Sequence, residues 1–149
     1  SVYHALVMSH ITYCITVWWF YNNSSLEKVF RLQKKAIRYI FKLKGVESCR
    51  PFFLKHQLMT LPSMVIFKYV KHYVNVLKNS NVTVHQHNTR YAKNSAIFRE
   101  SRYFCEGHRY FEKLPGNIKK ELNNKCFLGK VRDHLTNLVI YNINEYISP

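Results

Sequence analysis

The chain has 149 residues, with 23 Lys+Arg against 8 Asp+Glu and a formal net charge of +15. Hydrophobic residues at 47% and aromatics at 15% exclude a disordered tail, and the length suits one domain with a sizeable core. A charge so unbalanced opposes compaction by self-repulsion and favours phosphate backbones or anionic lipid as partners.

Residues 2–21 carry no Asp, Glu, Lys or Arg and are mostly apolar. Their length suits a membrane span. His4, Ser9, His10, Thr12 and Thr16 interrupt them, and a helix buried in a protein core is also apolar on most sides. We therefore expect a buried core helix, with a span as the alternative. Asn22-Asn23-Ser24-Ser25 then turns the chain, so this helix and the next are expected to form an antiparallel hairpin.

The next helix, Leu26 to Leu43, is the most informative stretch. At 100° per residue, Leu26, Val29, Phe30, Leu32, Ala36, Ile37, Ile40, Phe41 and Leu43 fall in one half of the wheel. Lys28, Arg31, Lys34, Lys35, Arg38 and Lys42 fall in the other. Lys28, Lys35 and Lys42 recur every seven residues, which predicts a cationic ridge about 21 Å long. Ser24 with Glu27 reads as a capping box, and Gly45 suits the C-terminal cap. Gln33 is the one polar residue in the apolar half and is expected to be hydrogen-bonded there.

Pro51 and Phe52-Phe53-Leu54 predict one or two helical turns. Leu61-Pro62-Ser63 opens a third helix to about Lys78, with proline in its first turn. Its apolar half holds Val65, Ile66, Tyr69, Val70, Tyr73, Val76 and Leu77; its polar half holds Lys68, Lys71, His72, Asn75 and Lys78. From Asn79 to Ser95 the composition suits a loop or extended linker. Ala96-Ile97-Phe98 and Tyr103-Phe104-Cys105 read as short strands or irregular packing. Gly107 to Leu114 looks helical and stops at Pro115-Gly116, and Asn117 to Asn123 is a short helix. A last helix, from about Lys125 to Val139, is expected to bury Phe127, Leu128, Val131, Leu135, Leu138 and Val139.

Catalytic signals are scarce. Asp133 is the only Asp, whereas two-metal phosphoryl transfer needs several convergent carboxylates. His85, His87, Cys105 and His108 have plausible ligand spacings but make no zinc signature, so no metal is expected. The four glycines form no phosphate-cradling loop. Cys14, Cys49, Cys105 and Cys126 contain no C-x-x-C pair and read as free thiols of a reducing compartment. The sequons at Asn22, Asn23 and Asn81 matter only in a secreted chain. What stands out is cations interleaved with aromatics: Arg31, Lys35, Arg38, Tyr39 and Lys42, then Lys68, Lys71 and Tyr73, then His87, Asn88, Arg90 and Tyr91. They offer phosphate contacts and stacking surfaces together, which suits nucleic acid better than membrane.

Three successions carry a resemblance: Ser9-His10-Ile11-Thr12-Tyr13-Cys14-Ile15-Thr16-Val17-Trp18, Leu32-Gln33-Lys34-Lys35-Ala36-Ile37-Arg38, and Arg50-Pro51-Phe52-Phe53. With His87-Asn88-Thr89-Arg90, and Gly107 through Phe111 to Leu114-Pro115 and Ile118-Lys119, the chain resembles non-LTR retrotransposon reverse transcriptases, LINE elements of the jockey kind. The similar segment follows the catalytic palm. Phe111 stands where the family has Trp and Glu112 where it has Asn, so different local hydrogen bonding is expected there. The resemblance implies that residues 1–44 are thumb-like and grip a template–primer duplex of RNA or DNA. It also implies a palm and fingers upstream, with the catalytic carboxylates and their magnesium in the palm.

We thus expect a mainly α fold. Its parts are a thumb-like region of hairpin plus third amphipathic helix over 1–79, a His-rich linker over 80–109 and a small C-terminal helical cap over 110–149. The chain reads as an intracellular piece of a longer RNA-directed DNA polymerase, in the nucleus or cytoplasm, inactive by itself and with no cofactor of its own. Lys28, Arg31, Lys34, Lys35, Arg38, Lys42, Lys68, Lys71 and Arg90 are the candidate nucleic-acid contacts. A membrane-associated basic protein and a stand-alone nucleic-acid binder are the alternatives.

Overall fold

The structure, a computed structural model, describes residues 3–13, 15, 23–79 and 102–148. The protein is mainly α, as patterning predicts, with no strand among the described residues. A π-helical turn over His4–Met8 leads into α1 (Ser9–Tyr13). Then come α2 (Asn23–Ile40), α3 (Arg50–Lys55), α4 (Leu61–Asn79), α5 (Arg102–Glu112), α6 (Gly116–Lys119), α7 (Phe127–Leu138) and α8 (Ile143–Ile147). They divide into two compact units, residues 1–65 with 132–149, and residues 66–131.

In the first unit, α2 buries a narrow stripe: Leu26, Phe30, Gln33 and Ile37. These positions lie within about 60° of one another on the wheel. Leu32, expected in the core, sits on the opposite side of that stripe and is 61% exposed. Ile40, in the last turn, is also exposed. The expected half-wheel was too generous because α2 presents only this narrow face to the core. α2 already begins at Asn23, so Asn23, Ser24 and Ser25 are helical rather than the expected turn, and Ser24 lies inside the helix instead of capping it; the residues just before Asn23 lie outside the described ones.

The first helical segment departs further from expectation. Tyr3, Ile11 and Ile15 are buried, but Leu6 and Tyr13 are exposed, so the segment is amphipathic rather than buried on all sides. Ser9 Oγ donates to the Ala5 carbonyl (2.6 Å) and Thr12 Oγ1 to that of Met8 (2.7 Å), so both hydroxyls are satisfied within their own helix. No helix among the described residues is long and apolar enough to cross a membrane.

Gln33 is the buried centre of this unit, and its expected hydrogen bonding is complete. Its Nε2 donates to Tyr3 Oη (2.7 Å) and to the Met59 carbonyl (3.0 Å), while its Oε1 accepts from the Leu61 amide (2.9 Å). Burial pushes the Tyr3 phenol up to about 12, with the Gln33 bond pulling the other way. The Leu61 amide is the first of α4, an orphan donor that a helix cannot satisfy itself. Pro62 follows with no N–H, as expected, and the Ser63 amide donates to Thr60 Oγ1 (3.4 Å). Thr60 Oγ1 donates onward to the Ile140 carbonyl (2.6 Å) and Ser63 Oγ to that of Leu135 (3.2 Å). One helix start is thereby tied to the end of another.

Past α3, Phe30 packs edge-on against Tyr141 with centroids 5.1 Å apart, and Phe53 lies 6.4 Å from Phe30. Residues 132–149 belong to this unit, and its last helix, α8, was not foreseen. Asn142 caps it by accepting from the Asn144 amide.

In the second unit, Tyr103-Phe104-Cys105, expected as a short strand or irregular packing, is helical and part of α5. Tyr103, Tyr110 and Phe111 share one face of a 3.6-residue repeat, and that face packs on aromatic residues of α4. Tyr69 stacks on Tyr103 with centroids 4.1 Å apart and meets Tyr110 edge-on at 5.8 Å. Tyr73 lies 4.9 Å from Phe104 and 5.4 Å from Phe111. His72, expected on the solvated half, is half-buried with its ring 4.3 Å from that of Tyr103. Burial holds its pKa below the usual histidine value. Glu112, where the resembled family has Asn, pairs with Lys119 (3.1 Å), whose Nζ also donates to the Glu112 carbonyl (2.7 Å) and closes the end of α5. Beyond α6, α7 buries Phe127, Val131, Leu135 and, past its end, Val139 as expected, whereas Leu128 is half-buried and Leu138 is 46% exposed.

Candidate nucleic-acid interface

Lys28, Arg31 and Lys35 are all exposed on α2, opposite the buried stripe. None of them forms an ion pair among the described residues; the ion pairs there are Arg50–Glu145, Lys119–Glu112 and Lys130–Glu121. Lys28 and Lys35 stand two turns apart, about 10.5 Å along the axis. Three cations on one face, with no acidic partner among the described residues, make a surface of positive potential.

The remaining α2 candidates are placed differently. Lys34 is half-buried, with Nζ 4.7 Å from the centre of the Phe30 ring and 5.2 Å from that of Tyr141. Part of its charge is therefore engaged with π faces. Arg38 is half-buried too, and its Nη2 donates to the Glu47 carbonyl (3.2 Å), which ties the loop after α2 back onto the helix. Arg50 covers Tyr141 at 4.6 Å and pairs with Glu145 (3.0 Å). Burial raises the Tyr141 phenol above its ordinary value.

Lys42 leaves the predicted ridge. α2 ends at Ile40, and Lys42 takes a left-handed φ of 53°. The Leu43 amide donates to the Arg38 carbonyl (2.9 Å) and the Lys42 amide to that of Tyr39 (3.4 Å), a Schellman closure in which Lys42 does what Gly45 was expected to do. A lysine meets a steric penalty there that glycine avoids. Lys42→Gly is therefore expected to stabilise the fold by about 0.5–1 kcal/mol. A rise in the urea midpoint with unchanged m-value checks this; a fall would mean the cap is misassigned.

Lys68, half-buried, and Lys71, exposed, belong to α4 in the second unit. Arg90, His85 and His87 lie outside the described residues. The candidate interface is therefore built on α2 alone. Sequence reading placed Tyr39 among the cations but put Leu32 in the core half, and Leu32 is instead their exposed neighbour. Tyr39 is 88% exposed, and its signal was available: on the helical wheel it lies between Lys35 and Leu32.

Among the described residues, no three His, Cys, Asp or Glu side chains are grouped to hold a metal ion. Cys49, Cys105 and Cys126 are free thiols. No protein-family model, curated protein or solved structure matches the chain.

Proposed function

We propose that the exposed face of α2 binds the sugar–phosphate backbone of nucleic acid, and that the chain is the thumb-like and C-terminal part of a retrotransposon RNA-directed DNA polymerase. The observation that carries the binding reading is the placement of Lys28, Arg31 and Lys35 on one exposed face without acidic partners among the described residues. Such a face gains by releasing the counterions condensed on phosphates, and it reads no sequence. The polymerase attribution rests on the sequence resemblance. In that setting α2 grips the template–primer, while magnesium and the catalytic carboxylates belong to the palm of the same polyprotein.

Arg31→Gln combined with Lys35→Gln tests the face. Both side chains are exposed, and glutamine keeps helix propensity, so folding is expected to survive. If the three exposed cations each meet a phosphate, log K against log salt has a slope of about −3 on duplex. The double substitution is expected to make that slope shallower by about two and to weaken all sequences alike. An unchanged slope would mean that the face is merely solvated. The attribution has its own test: the reading frame upstream of Ser1 is expected to encode a palm with an aromatic-x-Asp-Asp motif.

A further inference from the structure

Lys28, Leu32, Lys35 and Tyr39 follow one another at spacings of four, three and four residues along α2. This is the same rhythm as the buried stripe Leu26, Phe30, Gln33 and Ile37, carried on the opposite side of the helix. The outer strip alternates cation, aliphatic, cation, aromatic over about 16 Å. Leu32 is 61% and Tyr39 88% exposed, so the strip presents apolar surface to solvent between its charges.

A partner that offers only a phosphate backbone, as an intact duplex does, satisfies the lysines and leaves Leu32 and Tyr39 unused. A strand with unpaired bases satisfies both kinds of residue. Its phosphates reach Lys28 and Lys35, one base face stacks on the Tyr39 ring, and its apolar edges lie against Leu32. The charge alternation argues against an acidic amphipathic protein helix, for which the apolar positions would be expected to form a continuous seam.

Accordingly, we infer that this strip is a binding site for single-stranded nucleic acid, with Tyr39 as the stacking platform. The inference rests on the nucleic-acid reading above and deepens it, since it assigns unpaired rather than duplex nucleotides to the strip. Specificity for strandedness then resides in Tyr39, whereas Arg31 and the lysines contribute to either form.

Fluorescence anisotropy with the whole chain separates these roles, using a labelled oligo-dT and a blunt duplex of equal length over the same series of salt concentrations. Tyr39→Ala is expected to weaken oligo-dT binding about 5- to 100-fold, the range for loss of one stacked base. Tyr39→Phe, which keeps the ring, is expected to bind like the parent, and neither substitution is expected to change duplex binding or the salt slope. Because Tyr39 is exposed, the fold is not at stake. Equal losses on both probes, or none on oligo-dT, overturn the stacking assignment. If Tyr39→Ala is silent while Arg31→Gln with Lys35→Gln weakens both probes, only the strandedness inference falls. If the double substitution is silent as well, the nucleic-acid reading falls with it. Vesicles of phosphatidylserine form the third arm. Binding to them that persists at salt concentrations releasing both probes overturns the inference in favour of a lipid surface.

Discussion

Alanine at Gly107 is expected to destabilise the second compact unit by about 1–3 kcal/mol, the usual cost of forcing extra atoms into a packed contact. A Cβ there would lie 2.7 Å from the Tyr69 carbonyl oxygen and 2.8 Å from Tyr73 Cβ. Neither neighbour is a flexible side-chain end. The oxygen belongs to the backbone of α4, so α5 must shift, and the shift spoils the Tyr69–Tyr103 stack. Alanine's better helix propensity offsets the clash by at most about 1 kcal/mol. Gly129 provides the control, since it lies in α7 and a Cβ added there would meet nothing within 4 Å. Gly129→Ala is expected to stabilise by about 0.5–1 kcal/mol. Urea titrations of both variants decide the matter, and a Gly107→Ala protein as stable as Gly129→Ala would mean that α5 does not pack this closely.

How much of this was legible in the sequence depends on the kind of signal. Helix α4 was readable nearly to the residue, because Pro62 marks its start and its apolar positions recur over five turns. The cations Lys28, Arg31 and Lys35 were readable for the same reason: their exposure follows from the helical period once one face is buried. What could not be read is how wide the buried face is. Leu32 has the residue type of a core position, and only the structure places it on the outside. Tyr103-Phe104-Cys105, read as a short strand or irregular packing, is helical: aromatic residues are common in strands, and packing on Tyr69 and Tyr73 overrides that preference.

Helix ends were the least legible feature. Gly45 has the right residue type for a C-terminal cap, yet the chain turns earlier, at Lys42. Gln57 does likewise after α3, with φ 51° and the Leu58 amide donating to the Phe53 carbonyl (2.8 Å). In both places a side chain accepts a left-handed conformation that composition gives no reason to expect, since neither is glycine or asparagine. The candidate site changes accordingly. Its ridge is shorter than the heptad repeat predicts, and the exposed Leu32 and Tyr39 replace Lys42 as its most distinctive members.

Gln33→Leu is expected to cost the first unit about 3–5 kcal/mol, a large share of the 5–15 kcal/mol that holds an ordinary domain together. Leucine fills a similar volume, so the loss is polar rather than steric. It strands the Leu61 amide, the Met59 carbonyl and the Tyr3 hydroxyl, three groups that Gln33 satisfies in a site closed to water. Each buried group left unmade costs about 1–3 kcal/mol. Tyr3→Phe, by contrast, removes one partner and leaves the bonds to Met59 and Leu61 in place, so a loss nearer 1 kcal/mol is expected. Gln33→Glu adds a pH readout. Its carboxylate could still accept from the Leu61 amide, and its second oxygen would face the Tyr3 hydroxyl, which can turn to donate, and the Met59 carbonyl, which donates nothing. Burial and that repulsion favour the protonated acid and raise its folded-state pKa above the unfolded value of about 4.3. Between those two values the native state holds the extra proton, so stability falls as pH rises through the window. Urea midpoints at pH 5 and pH 8 are therefore expected to differ more for Gln33→Glu than for the parent, with the variant weaker at the higher pH. With Tyr3→Phe added, so that no hydroxyl can donate to the carboxylate, a flat profile would show that water reaches position 33. The stripe that orients Lys28, Lys35 and Tyr39 outward would then be held by its apolar residues alone.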